Sequence, residues 1–257
     1  MKPRLYFLIT FAVTCIFWGI GARVSHQPGN DGSHMMWMLP GLLTPFLVSY
    51  WMIHKDPEAR KQFRDRLLKL KRIRPGLLLT ACLLMPLSVL VSVGLSLLLG
   101  GSPDQLQLAD EFSFRTGFVP VFLLLLMAAT FEELGWRGYA YDSLQAVLPQ
   151  RSADLLFGLL WSLWHLPLIL VKDSYQYVIF QDNPWFAINF FVSIIPLGII
   201  ISRVCVANQK SIPAAILFHF VINLSQEALN ISQTTKCLQT GVLTLAAFGL
   251  WYKSGRE

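Results

Sequence analysis

Three apolar stretches of the sequence contain side chains able to take part in acid–base chemistry. The stretches read FEELGWRGYAY, FGLLWSLWHLPL and AAILFHFVINLS. Their ionisable and amide-bearing residues are Glu132, Glu133, Arg137, His165, His219 and Asn223. A charged group at bilayer depth is energetically costly, so such residues are rare and usually face the interior of a helix bundle. Polar residues on three separate apolar stretches therefore predict a shared site.

The first stretch places two neighbouring carboxylates in different helical positions. Glu133 and Arg137 are four residues apart, on one helix face and in the acid-before-base order that favours an ion pair. Glu132 points about 100° away around the helix and lacks that local partner. Its carboxylate is therefore the one predicted to be free for chemistry. The alternative reading of Glu133 and Arg137 is a purely structural ion pair at the membrane border.

The other two stretches repeat the four-residue spacing. His219 and Asn223 present an imidazole and an amide on one face, and Trp161 places an indole one turn before His165. With a rise of about 1.5 Å per residue, Glu132 and both histidines are predicted to lie in the inner half of the membrane, around one cavity open to the cytoplasm. Taken singly, a histidine is more often a packing residue and an asparagine more often an interhelical hydrogen-bond former.

These side chains together suit the hydrolysis of an amide bond by activated water. A carboxylate in a poorly hydrated pocket can accept a proton from water, and a neighbouring imidazole can orient that water or share the proton. A second imidazole and an amide NH₂ are donors for the oxyanion that forms on an attacked carbonyl. Glu132, His165, His219 and Asn223 are therefore the predicted catalytic residues. No serine–histidine–aspartate set accompanies them.

A metal site is the alternative use of the same atoms. Glu132, His165 and His219 could bind zinc with one open position. The sequence contains no H-E-x-x-H motif, and the three ligands would come from three different helices. We therefore expect a reaction without a cofactor and keep zinc as the second hypothesis.

The rest of the chain predicts the helices that position these residues. Hydrophobic residues make up 54% of the 257 and charged residues 14%, against about 25% charged in soluble domains. A membrane-spanning helix needs about 20 apolar residues. Eight such segments are predicted, at about 5–22, 36–54, 76–99, 118–136, 153–171, 185–203, 211–227 and 237–252. The expected fold is an all-α, polytopic membrane protein in which residues 1–257 form a single transmembrane domain.

Basic residues predict the orientation of these helices. The segment 55–75 contains nine Lys or Arg against three acids, with apolar residues at three- and four-residue steps. It is either an amphipathic helix on an anionic lipid surface or a charged loop that only fixes topology. With both termini in the cytoplasm, inner segments carry 17 of the 21 Lys and Arg, as the positive-inside rule requires. The basic residues are thus explained by membrane lipid, and no nucleic-acid partner is expected.

The three motifs resemble those of the CAAX protease and bacteriocin-processing family of intramembrane proteases, which includes the type II CAAX prenyl endopeptidases. Glu132, Glu133 and Arg137 match its E-E-x-x-x-R motif. Trp161 and His165 match its F-x-x-x-H motif, with Trp in place of Phe. A later H-x-x-x-N motif is matched by His219 and Asn223, so the resemblance covers about residues 75–227.

The resemblance implies roles for these residues. Glu132 would activate water with the help of His165, and the later motif would supply the oxyanion donors. Glu133, Arg137 and Trp161 would be supporting residues. The resemblance also implies eight transmembrane helices and a conical cavity open to the cytosol. It further implies a peptide or protein substrate, and one substrate class of the family is proteins prenylated at a C-terminal cysteine. The membrane would be the cell membrane in a prokaryote and the endoplasmic reticulum in a eukaryote.

A protein without catalytic activity is the hypothesis from another class. A transporter, an immunity factor or a scaffold could use the same polar cavity to bind a ligand. Transporters tend to show inverted repeats and broken helices around a midplane site. No internal repeat is evident in this sequence, so we expect the protease.

Overall fold

The chain folds into a bundle of α-helices. The computed structural model describes residues 1–30, 32–109 and 120–253, and contains no β-strand within them. In chain order the α-helices are α1 (Pro3–Ser25), α2 (Met35–Ile53), α3 (Pro57–Leu68), α4 (Pro75–Leu98), α5 (Val121–Gly135), α6 (Tyr141–Gln145), α7 (Gln150–Trp164), α8 (Tyr175–Asp182), α9 (Pro184–Ala207), α10 (Ile212–Glu227) and α11 (Gln233–Lys253). A π-helical turn, Trp136–Ala140, joins α5 to α6, and a 3₁₀ turn, Leu166–Leu170, follows α7.

The all-α membrane fold is confirmed, but the predicted number of eight spans is not. Within the described residues, five stretches are long and apolar enough to cross a membrane: α1, α2, α4, α9 and Gln150–Leu170. The helix α10 has 16 residues and is about 24 Å long, less than the hydrocarbon thickness of about 30 Å. The predicted fourth span begins at 118, and residues 118 and 119 lie outside the described part, as does the basic residue Arg115 of the same connection.

Local sequence explains where the helices around the site begin and end. The helix α10 starts with Ser211 as N-cap, whose hydroxyl accepts a hydrogen bond from the Ala214 N–H, and with a proline in its first turn, two preferred start signals. The helix α7 ends at Trp164 because Pro167 cannot continue the α-helical hydrogen bonds. His165 is therefore the residue that caps α7 and precedes the 3₁₀ turn.

Glycines let the helices that carry the site approach closely. A Cβ on Gly135 would lie 2.3 Å from the backbone of Pro45, and one on Gly158 would lie 2.6 Å from the Ile195 carbonyl oxygen. Gly198 faces Gly158 across the same contact, at 2.6 Å from its Cα. Small residues at such crossings increase van der Waals packing, which drives helix association in lipid. They hold α5 against α2, and α7 against α9.

The helix α3 packs directly beneath the π-helical turn. Its N-cap Asp56 accepts hydrogen bonds from the Glu58 and Ala59 amides, at 3.0 and 3.1 Å. A Cβ on Gly138, in the π turn, would lie 2.7 Å from the ring of Phe63 on α3. The basic segment is thus a helix, as one of the two hypotheses required, but one of its faces is covered by protein.

Candidate active site

The first motif lies at the junction of α5 and the π-helical turn. Tyr141 donates its backbone N–H to the carbonyl of Trp136, five residues earlier, instead of four as in an α-helix. Single π turns inside α-helices are frequently found at functional sites. Glu132 and Glu133 precede this turn and Arg137 lies within it, so the wider turn sets the relative positions of the acids and the base.

Glu133 and Arg137 form the predicted ion pair, and the structure adds a third member. Arg137 Nη1 lies 3.1 Å from Glu133 Oε1 and 3.0 Å from Oε2, and both side chains have no solvent exposure. His219 Nδ1 of α10 lies 2.9 Å from the same Oε1. Burying a charge is tolerated when it is paired and hydrogen-bonded. The pair therefore also fixes the orientation of one imidazole of the site.

Arg137 is further held from two other helices. Its Nη2 donates to Ser202 Oγ of α9 at 3.2 Å, and its guanidinium lies 4.3 Å from the ring centroid of Phe157 on α7. An arginine over an aromatic face gains a cation–π attraction that strengthens away from water. Arg137 thus connects α5, α7 and α9 at the level of the motif.

Glu132 has a different environment from its neighbour. Its Oε2 accepts a hydrogen bond from Trp161 Nε1 at 2.9 Å and one from Trp136 Nε1 at 3.3 Å. Both donors are neutral, and within the described residues no cation forms a salt bridge with Glu132. The two bonds fall on Oε2, which leaves Oε1 for water or substrate. Glu132 is 6% exposed and faces the tryptophans of the interior.

His165 is half-buried at the end of α7. Its Nδ1 lies 2.8 Å from the carbonyl oxygen of Trp161. A carbonyl can only accept, so Nδ1 carries the proton and, in the neutral ring, Nε2 is the acceptor. His165 can thus accept a proton, or a hydrogen bond from water, at Nε2.

Trp161 connects the three predicted reactive side chains. Besides its hydrogen bond to Glu132, its ring lies edge-to-face with the rings of His165 and His219, at centroid distances of 5.9 and 5.2 Å. One indole therefore contacts the carboxylate and both imidazoles, which come from α5, α7 and α10. It also covers the polar groups with an apolar surface.

Asn223 lies one helical turn after His219 on α10 and is partly buried. Its amide forms no hydrogen bond with any other residue that the structure describes. The helical spacing places it on the same face of α10 as His219. It is thus a polar group near the site whose hydrogen bonds are left for a ligand or water.

Three residues of this arrangement, Trp136, Phe157 and Ser202, were not predicted from the sequence. Trp136, which contacts Glu132, is four residues after it, the same spacing that predicted the ion pair of Glu133 and Arg137. The four-residue spacing is visible in the sequence, but here it joins a carboxylate to an indole rather than to a basic side chain. Ser202 is one of several serines in apolar helices, and nothing in its spacing distinguishes it.

The donor set fits a metal only in part. His219, held at Nδ1 by a carboxylate, has the second-shell contact common among metal-bound histidines. Glu132, however, already accepts two indole hydrogen bonds on one oxygen. Among the described residues, no three His, Cys, Asp or Glu side chains converge as metal ligands would.

Comparisons with known proteins point in one direction. Residues 114–225 match the family described as "Type II CAAX prenyl endopeptidase Rce1-like". The chain is also 53% identical over 248 residues to a protein of Methanococcus maripaludis named "CAAX prenyl protease 2". That alignment covers 96% of this chain and 92% of the relative. The stretch matched by the family contains all the residues from Glu132 to Asn223.

Proposed function

The chain belongs to the Rce1-like type II CAAX prenyl endopeptidase family and is thus an intramembrane endopeptidase; on that premise we propose that Glu132 activates the hydrolytic water, assisted by His165. The observation that carries the proposal is the contrast between the two acids. Glu133 is neutralised by Arg137, whereas Glu132 has only neutral donors and one oxygen without a donor from the described residues. A carboxylate without a cationic partner is the better proton acceptor.

In the proposed reaction, a water molecule attacks the carbonyl carbon of the scissile peptide bond. Glu132 Oε1 accepts one proton of this water, and His165 accepts a hydrogen bond from it at Nε2. The new C–O bond forms as the carbonyl electron pair moves to oxygen. The proton then passes to the leaving nitrogen when the C–N bond breaks.

His219 and Asn223 are proposed to stabilise the oxyanion. Because Nδ1 of His219 is directed at Glu133, its Nε2 can donate only when the ring carries both protons. In that state His219 and Arg137 would share the single negative charge of Glu133. The Asn223 amide, one turn further along α10, supplies a second donor.

The proposed substrate is a membrane protein or peptide with a prenylated C-terminal cysteine, from which the last three residues are removed. The support is the name of the relative, CAAX prenyl protease 2. We also propose that both termini lie in the cytoplasm, because the 17-to-4 distribution of basic residues favours this orientation.

The test is cleavage of a farnesylated fluorogenic peptide in detergent by wild type and Glu132→Gln. We expect the variant to lose activity by a factor of about 10² to 10⁴, with unchanged size-exclusion and circular-dichroism profiles. Glu58→Gln, an exposed glutamate of α3, is the matched control and should cleave like wild type. Substantial activity in Glu132→Gln would refute the role of Glu132. Equal cleavage of the unprenylated peptide would refute the substrate assignment alone.

A metal-dependent reaction is tested on the same material. We expect dialysis against a strong chelator to leave cleavage unchanged, and elemental analysis to find zinc well below one atom per chain. Stoichiometric zinc, together with activity that chelation removes and added zinc restores, would replace the proposed mechanism with a metalloprotease that uses Glu132, His165 and His219.

A further inference from the structure

Arg66 differs from the other basic residues of its segment. Of the nine Lys and Arg between residues 55 and 74, it is the one that is buried, with 7% of its surface exposed. Its guanidinium donates to three acceptors of other elements: the Lys210 carbonyl oxygen, through Nε at 2.9 Å, the Asp142 carboxylate, and the Arg137 carbonyl oxygen, through Nη2 at 2.5 Å. None of these contacts would be needed to fix topology or to bind lipid.

The contact with Arg137 involves a carbonyl that the π turn exposes. In an α-helix the Arg137 carbonyl would accept the N–H of Tyr141, four residues later. Here Tyr141 donates to Trp136 instead. A buried carbonyl without a donor is destabilising, and Arg66 provides a charged donor at this position. Arg66 therefore donates to the chain at the point where the π turn changes the helical register.

Two further contacts are made beside Arg66. Asp142, which accepts from Arg66, also accepts a hydrogen bond from Lys210 Nζ at 2.9 Å. The ring of Phe63, one turn before Arg66, lies against Gly138 in the π turn. The helix α3 is thus joined to α6 by the ion pair with Asp142, and to the π turn by the backbone contact with Arg137 and the ring packed on Gly138.

We propose that Arg66 is a positioning residue for the reaction: it holds the π turn in its wide register. The turn carries Trp136 and Arg137, whose side chains contact Glu132 and Glu133 respectively. A change of register would therefore move the groups that orient both carboxylates. This inference rests on the proposed function, because it matters for cleavage only if Glu132 acts on water.

The experiment compares Arg66→Lys and Arg66→Ala with Arg60→Lys and Arg60→Ala. Arg60 is an exposed arginine on the same helix. A lysine keeps the charge but cannot present donors in three fixed directions as a guanidinium can. We expect both Arg66 variants to lose about tenfold to a hundredfold in kcat, the scale of a small misplacement of reacting groups. Their KM should stay within about twofold, since substrate binding is not altered.

A second measurement reports on the turn without relying on activity. Hydrogen–deuterium exchange of the peptide covering residues 132–142 should be faster in the Arg66 variants and unchanged in the Arg60 variants. If Arg66→Ala does not fold, the proposal is tested with Arg66→Lys and with Asp142→Asn, which removes the negative charge that Arg66 contacts. The same kcat, KM and exchange measurements are made on both variants.

The outcomes separate this proposal from the proposed function. Normal kcat and normal exchange in folded Arg66 variants, beside an inactive Glu132→Gln, would overturn the positioning role alone. A raised KM with unchanged kcat would also overturn it, because α3 would then contribute to substrate binding. An active Glu132→Gln would instead refute the role of Glu132, whatever the Arg66 variants do.

Discussion

Two buried polar regions of the bundle are built from different side chains. Between α4, α10 and α11, Gln239 donates to Ser88 Oγ at 2.9 Å and accepts from Gln226 at 3.1 Å. Ser88 in turn donates to the Met85 carbonyl oxygen at 2.7 Å. We call Ser88, Gln226 and Gln239 the neutral network. Its members hydrogen-bond one another, as side chains that join transmembrane helices commonly do.

The region around Glu132 is charged, and its hydrogen bonds are incomplete. Arg137 Nε, although buried, has no hydrogen-bond partner among the described residues. Glu132 keeps one oxygen, and Asn223 its whole amide, without a donor or acceptor from that part of the chain. A buried polar group left without a partner costs free energy, so an arrangement of this kind is not explained by stability.

We interpret the difference as one between polar residues that hold helices together and the residues proposed to react. Both regions have buried side chains, so burial does not separate them. What separates them is net charge and unused hydrogen-bonding capacity. If this distinction is right, substitutions in the two regions should differ in both the size and the kind of their effect.

The largest effect on stability is expected for Glu133→Gln. The change leaves the Arg137 guanidinium buried without its counter-charge, and breaking a buried pair in this way costs about 3–5 kcal/mol. The measurement is the thermal unfolding midpoint in detergent, with Glu132→Gln as the matched neighbour. Glu132 has no cationic partner, so its substitution should shift the midpoint far less. Equal shifts in the two variants would contradict the division of roles between the adjacent acids.

An intermediate effect, on rate rather than stability, is expected for Trp161→Phe. Phenylalanine keeps an aromatic ring beside His165 and His219 but removes the N–H that orients Glu132. A hydrogen bond to a charged group is worth about 1.5–3 kcal/mol, which corresponds to a loss of roughly tenfold to a hundredfold in kcat.

The control for this variant is Trp185→Phe, because Trp185 is exposed on α9. Both proteins would be compared for kcat and KM on the same farnesylated peptide. A Trp161→Phe enzyme with wild-type kcat would show that the indole contact does not position Glu132, and that Trp161 only packs between the helices.

Local spacing predicted part of this site because some of its contacts are local. The ion pair of Glu133 and Arg137 was predicted from a four-residue interval and is present. The contact between the Trp161 indole and the His165 imidazole follows from the same spacing. The apolar composition was sufficient for the fold class, since only helices or closed barrels can satisfy their backbone hydrogen bonds in lipid.

The remaining features depend on tertiary structure. The contact of His219 with Glu133 joins residues 86 positions apart, and no sequence interval encodes it. The π turn has no recognisable local pattern, so the register of the residues after Glu133 could not be predicted. Arg66 was one of nine basic residues in its segment, and only the packing of α3 distinguishes it. The number of spans stays a prediction, because hydropathy does not fix helix length and five stretches of the described residues are long and apolar enough to span.

The smallest effect is expected for Gln239→Met, in the neutral network. Methionine has nearly the same length, so packing is kept and only hydrogen bonds are lost. Ser88 retains its bond to the Met85 carbonyl oxygen. Interhelical hydrogen bonds in membranes average about 0.6 kcal/mol and reach at most about 1.7 kcal/mol. We therefore expect a small fall in the unfolding midpoint, while kcat and KM stay at their wild-type values.

The control for the added methionine is Leu245→Met, at an exposed position of the same helix. A Gln239→Met protein that is stable yet has lost cleavage activity would show that the neutral network belongs to the reaction, and that charge does not mark where the chemistry lies.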